Sequence, residues 1–173
     1  MMVRKLLSGV AFCCISAITN ANPVHVGGVI YQLDFSDFTP ITKPYGSTTA
    51  VVGYEKELFV EGDYGQSLLY EVDGEIKTKW FAGNMLASMF VSCSDATNDP
   101  SSEQIIGATF AFGVRYDQVS YTAKPRVSEI RNTAGQCKKM KIRINKEGNL
   151  SRQFYTIYTD MKLRVKVIEV VGG

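Results

Sequence analysis

The chain has 173 residues, four cysteines, one histidine and a net charge of +2, with 45% hydrophobic and 21% charged residues. With His25 as its only histidine, a Ser-His-Asp or Cys-His arrangement would have to be built on that one residue, and a His/Cys zinc set lacks ligands. Nor does a net charge this close to neutral single out nucleic acid as a partner.

Residues 1–21 read as an export signal. Arg4 and Lys5 give the positive start, Leu6 to Ile18 the apolar run, and Thr19-Asn20-Ala21 the small residues that a signal peptidase reads, with the cut after Ala21. The apolar run is about 13 residues long, short of the roughly 20 that a spanning helix needs. No later stretch is long and apolar enough to span a membrane. What remains, 22–173, is about 150 residues, the size of one domain with a core of its own. Cys13 and Cys14 leave with the signal. In an oxidising compartment the two remaining cysteines, Cys93 and Cys137, are expected to pair, closing a loop of about 44 residues worth roughly 4 kcal/mol in the chain-entropy model. No metal or cofactor is expected.

The new amino terminus, from Asn22 through Ile30, reads as an extended segment with Val24, Val26, Gly28 and Ile30 on one face. Short strands are expected at 50–52 and 57–60, with Gly53, Gly62 and Gly65 as breaks. The acids Asp34, Asp37, Glu55, Glu57, Glu61 and Asp63 lie among these, and nothing in their spacing separates a catalytic pair from surface acids. Gly62-Asp63-Tyr64-Gly65 lacks the lysine of a phosphate loop. Tyr45, Tyr54, Tyr64, Tyr70, Trp80 and Phe81 gather in this half. Tyrosine and tryptophan left exposed there can stack on sugars or anchor an interface, with Tyr45, Tyr64 and Trp80 as candidates.

Leu68 to Val72 and Ile76 to Phe81 flank Asp73-Gly74, a pair suited to a tight hairpin turn. Met85 to Phe90 is the one short candidate for a helix. Ile105 to Val114 and Val119 to Thr122 read as strands, and 94–102 and 132–135 as loops. Met140, Ile142 and Ile144 alternate with Lys141, Arg143 and Asn145, and Met161 to Val167 alternates without exception, the pattern of strands with one face buried and one wet. Between them, Lys146-Glu147-Gly148-Asn149 has turn chemistry, and Asn149-Leu150-Ser151 matches a glycosylation acceptor. From Cys137 onward nine lysines and arginines face three acids, a surplus of six positive charges; on alternating strands these side chains form an outer face. Short strands separated by polar turns imply an all-β antiparallel sandwich or barrel.

The segment 22–30, with its alternating valines and glycine notch, together with the alternating strand 161–167, resembles the chaperone-usher fimbrial subunits. The resemblance implies an Ig-like β-sandwich lacking one strand and completed by the amino-terminal strand of a neighbour, with Val24, Val26, Gly28 and Ile30 filling the groove. It implies other fimbrial subunits and a periplasmic chaperone as partners, a route through the periplasm to the cell surface, and an adhesive, non-enzymatic role. A free secreted β-rich protein of toxin type, recognising a host glycan or protein receptor, is the alternative, and a hydrolase using a carboxylate pair is a third. The first expects 22–30 unpaired in the isolated chain. The second expects a complete fold.

Overall fold

A computed structural model describes residues 24–60, 68–79, 85–94, 100–115, 120–131 and 137–171. The export signal, Tyr64, Trp80, Phe81, Glu61 and Asp63 lie outside the described residues, as do the side chains of Val24, His25 and Val26.

The chain forms an antiparallel β-sandwich. One sheet contains β1 (Val24–Asp34), β4 (Leu68–Lys79), β7 (Val114–Arg115), β8 (Ser120–Ala123), β9 (Arg126–Arg131) and β11 (Ile157–Val171). The other contains β2 (Thr39–Tyr45), β3 (Thr48–Phe59), β5 (Ala87–Ser94), β6 (Gln104–Ala111) and β10 (Lys139–Lys146). A short helix, α1 (Leu150–Tyr155), joins β10 to β11. In the first sheet the order is β1-β11-β4-β8-β7, with β9 beside β4, and in the second it is β2-β3-β10-β5-β6. The chain therefore changes sheets from β1 to β2, β3 to β4, β4 to β5, β6 to β7, β9 to β10 and β10 to β11. Within the sandwich class this is the double Greek key of a jelly roll.

Alternation builds the core. On β11 Met161, Leu163, Val165 and Val167 are buried while Lys162 and Arg164 are exposed; on β10 Met140, Ile142 and Ile144 are buried between Lys141, Arg143 and Asn145. These rows meet Leu68, Tyr70, Val72 and Ile76 of β4 and Met89 and Val91 of β5. Burying each large apolar side chain contributes about 1.5–3 kcal/mol before chain entropy is charged against it.

Two expectations about glycine are corrected. Asp73-Gly74 is not a turn: Leu68–Lys79 is one strand, in which Asp73 faces Arg164 and Gly74 faces Leu163. A two-residue turn would put Val72 and Ile76 on opposite faces, whereas both are fully buried, as one unbroken strand requires. Gly74 is there for space, because a Cβ at this position would lie 2.0 Å from the Lys162 carbonyl oxygen and 2.8 Å from the Leu163 Cα. Gly53 likewise lies within β3 rather than ending a strand, 2.6 Å from the Ile144 carbonyl oxygen at the position of a Cβ. Gly74→Ala forces backbone atoms of β11 to move, so urea titration is expected to show a loss of about 2–3 kcal/mol.

Met85 to Phe90 is corrected as well. Ala87–Ser94 is a strand, paired with both β10 and β6. Ala87, Met89, Val91 and Cys93 face inward, and Phe90, on the outer row between Ser88 under Glu147 and Ser92 under Glu103, interrupts the period-two signal. The helix lies instead at Leu150–Tyr155, where Asn149 caps it by accepting from the Arg152 N–H at 3.0 Å. Cys93, at the end of β5, is disulfide-bonded to Cys137, just before β10, with Cα atoms 5.2 Å apart. No helix among the described residues is long and apolar enough to cross a membrane.

Candidate functional site

The segment expected to act as a donor strand is β1, at the edge of its sheet. It pairs with β11 of the same chain from Val24 opposite Val171 to Asp34 opposite Lys162. A register shift between His25 and Gly27 interrupts the alternation, so Val24 and Gly28 are not in one continuous row. Farther along, Leu33 is buried and Tyr31 packs on the core, while Gly28 is exposed and Ile30 is 60% exposed. The row containing Gly28 and Ile30 thus faces outward, and the odd-numbered row is the one that enters the sandwich. Tyr31 also donates its hydroxyl to the Phe59 carbonyl oxygen at 2.8 Å, tying β1 to the opposite sheet.

Among the aromatics chosen from sequence, Tyr45 is half-buried and stacked on Phe154 of α1 with ring centroids 4.7 Å apart. Tyr54 packs between Phe35 at 5.0 Å and Tyr158 at 5.5 Å. Tyr70 is fully buried.

The basic carboxy-terminal third is laced into acidic neighbours. Lys139 meets Glu57 at 3.2 Å, Lys141 meets Glu103 at 2.9 Å and Arg143 meets Glu55 at 3.3 Å across the second sheet. On the first sheet Arg164 meets Asp73 and Lys166 meets Glu71, each at 2.8 Å. Cross-strand register sets these pairs, since Arg143 lies opposite Glu55 and Arg164 opposite Asp73. Two of the acids considered for catalysis, Glu55 and Glu57, are committed to this lacing. Glu103 is held below the usual carboxylate range by the Ser92 hydroxyl and by Lys141. At Asp73 burial pushes the pKa up, but the Arg164 guanidinium that donates to it and the charge of Lys166 nearby outweigh this, and the net direction is down. Among the described residues no group of three His, Cys, Asp or Glu side chains is placed to hold a metal.

Two surfaces remain distinctive. The first lies where the chain leaves the edge of one sheet, β6, for the edge of the other, β7. Here Phe110, Phe112 and Val114 are 58%, 62% and 70% exposed. With Ala111 and Thr122 they line an open groove of about 650 Å³, with Glu75 and Lys124 also at its wall. β6 carries Ile106 and Ala111 inward, which leaves Phe110 on the other face. Val114 belongs to a two-residue edge strand paired with Thr122 of β8. Large apolar side chains gathered at free strand edges are the usual mark of a contact surface. The sequence reading placed these residues on a strand, but it had no signal for which aromatics are left uncovered.

The second surface is the corner around Lys146. The turn expected at 146–149 begins one residue later, since Lys146 is the last residue of β10 and continues the inward row of Met140, Ile142 and Ile144. Its side chain is 4% exposed. Nζ lies over the rings of Tyr54 and Tyr158, 5.8 and 5.4 Å from their centroids, and donates to the Gln153 carbonyl oxygen at 3.3 Å. Gln153 Nε2 in turn donates to the Lys146 carbonyl oxygen at 2.8 Å. Burial lowers the Lys146 pKa to about 8 and raises those of both tyrosines. Extending the period-two reading of 140–145 by one step would have found this lysine.

No protein-family model matches the chain, and no curated protein matches it.

Proposed function

We propose that the chain is an exported, non-enzymatic recognition protein, a free-standing β-sandwich that presents the groove of Phe110, Phe112 and Val114 to a protein or glycan receptor. The observation that carries this reading is the exposure of three large apolar side chains together at the two open sheet edges. The home pairing of β1 with β11 supports a module that works without a neighbour's strand. On a glycan array and on intact cells, the purified protein is expected to bind, and Phe110→Ser/Phe112→Ser is expected to weaken binding at least tenfold. Both side chains are already exposed, so the melting temperature should stay within a few degrees. Equal binding by parent and variant would remove the groove as the contact.

A second reading, a fibre subunit assembled by strand exchange, is favoured by the edge position of β1, which can leave without opening the middle of its sheet. Surface fibres built from this chain, a periplasmic chaperone as partner and adhesion to cells would follow from it. Size-exclusion chromatography separates the two: a monomer at micromolar concentration supports the free module, and a ladder of polymers supports the fibre.

A further inference from the structure

We propose that the receptor segment met by the groove is an extended peptide of alternating apolar residues, which adds as a strand to the free edge of β6. This inference rests on the groove being the contact, as proposed above, and names what fills it. β6 ends the order β2-β3-β10-β5-β6, and among the described residues no strand lies on its far side. In antiparallel pairing every second residue of an edge strand turns its N–H and C=O away from its one neighbour. The opposite edge of the same sheet is blunted, since β2 carries Pro40, Lys43 and Pro44. β6, from Gln104 to Ala111, holds no proline and no charged side chain. Its register shift, opposite Val91 and Ser92, lies near its start, and Gly107 to Ala111 pair in regular order with Val91 to Ala87.

The backbone decides between partners. Whatever covers Phe110 and the edge beside it also takes the outward N–H and C=O groups of β6 away from water, and buried main-chain groups need bonds. An extended strand supplies donors and acceptors in the same repeat, which a sugar ring cannot do. The polar lining of the groove is confined to Thr122, Glu75 and Lys124, and Glu75 is already paired with Lys77 at 3.3 Å. Few groups are left to meet the hydroxyls around a sugar. Alternation follows from position. One row of a strand laid on β6 stands beside Ala108 and Phe110 on the outer face, and the other enters the groove towards Val114 and Thr122, where about 650 Å³ has room for apolar side chains. The competing explanation is a glycan stacked on Phe110 and Phe112, and this predicts no pairing with the β6 backbone.

Fluorescence anisotropy with the disulfide-bonded protein separates the two, using labelled seven-residue peptides in which threonine alternates with valine, isoleucine, leucine or phenylalanine. At least one should bind with one-site saturation. Phe110→Lys should weaken it about tenfold while leaving the melting temperature unchanged, because Phe110 is exposed. N-methylation along one edge of the best peptide should weaken it by a similar factor, and along the other edge should have little effect, since only one edge can pair. Amide exchange should slow between Gly107 and Ala111 when that peptide is bound. The proposal is overturned if no peptide of the set binds, if a peptide of the same composition with its apolar residues clustered binds as tightly, or if neither N-methylated form is weakened. A glycan-array signal that is lost in Phe110→Ser/Phe112→Ser, with no peptide bound, would overturn the added strand and leave the groove as the contact. Peptide binding unchanged in that variant would overturn both.

Discussion

Replacing both Cys93 and Cys137 by alanine is expected to cost about 4 kcal/mol of stability. The two cysteines are 44 residues apart, and freeing a loop of that length restores about this much conformational freedom to the unfolded chain in the entropy model. Location adds to the effect. The bridge ties the end of β5 to the entry of β10, and backbone bonds continue from it, with the Lys138 N–H donating to the Ser94 carbonyl oxygen at 2.9 Å and the Val60 N–H donating to the Lys138 carbonyl oxygen at 3.0 Å. The bridge thus sits beside the three central strands of one sheet. Both cysteines are buried, so alanine is preferred to serine, which would bury hydroxyls without partners. In a domain of this size 1 kcal/mol moves the melting temperature by about 2–4 °C, and a fall on the order of 10 °C is expected. A guanidinium titration showing less than about 1 kcal/mol of loss would mean that the bridge adds little beyond the strand pairing around it.

The second large effect concerns Lys146 and alkaline pH. Its folded pKa is about 8 against an ordinary 10.5, and the cause is burial. Below pH 8 the amine is charged in both folded and unfolded chains, so the folded state carries the full cost of the buried ammonium. Between 8 and 10.5 the unfolded chain binds more protons than the folded one, and stability therefore rises with pH. At 1.36 kcal/mol per unit the gain from pH 7.5 to 10 is on the order of 2–3 kcal/mol. Above pH 10 the trend reverses. Tyr54 and Tyr158 have raised folded pKa values, mainly through burial, and the stability they provide below their unfolded pKa is lost as they begin to ionise. Lys146→Met keeps the side-chain length and removes the titration. Urea titrations at pH 7.5 and 10 are expected to give the parent a rise that the variant lacks. Parallel slopes in parent and variant would show that the amine is solvated rather than buried against the two rings.

Much of the strand content was legible because burial imposes a period of two wherever one face is dry. Met161 to Val167 and Met140 to Asn145 declare themselves in this way, and both lie in strands as read. The readings that failed did so where another constraint overrode the local one. Asp73-Gly74 carries turn chemistry, yet Gly74 is needed for the approach of the Lys162 backbone. In Ala87–Ser94 the single outer-row apolar residue, Phe90, joins Met89 and Val91 into a short apolar run and hides an alternation that otherwise holds. The six-residue helix after Asn149 is too short for a periodic signal, and its cap was read as part of a turn. The order β1-β11-β4 joins the two ends of the chain and leaves no mark in any local window.

The candidate sites were less legible than the strands, for a related reason. Exposure depends on which edge has no neighbour, and that follows from topology. Phe110 and Phe112 have the same local pattern as core aromatics, whereas Tyr45, which sits among turn residues, is covered by Phe154. On β1 the row of Gly28 and Ile30 faces outward and Tyr31 and Leu33 face the core, and an alternation of small and apolar residues does not by itself say which row a sheet covers. The basic strands, by contrast, read correctly as an outer face except at Lys146, which turns inward. Their acidic partners lie 38 to 95 residues away in sequence, with Lys141–Glu103 and Lys166–Glu71 at the two ends of that range.

Whether the sandwich completes itself decides between a free recognition module and a subunit that lends its first strand. Amide hydrogen exchange on the dilute, monomeric protein tests this at the pairing itself, through the β11 amides that face β1 between Leu163 and Val171 and the β1 amides that face them. The account expects these amides to be protected together, with no dependence on protein concentration. Fast exchange along β1 in the monomer, with protection gained only as the protein assembles, would contradict it.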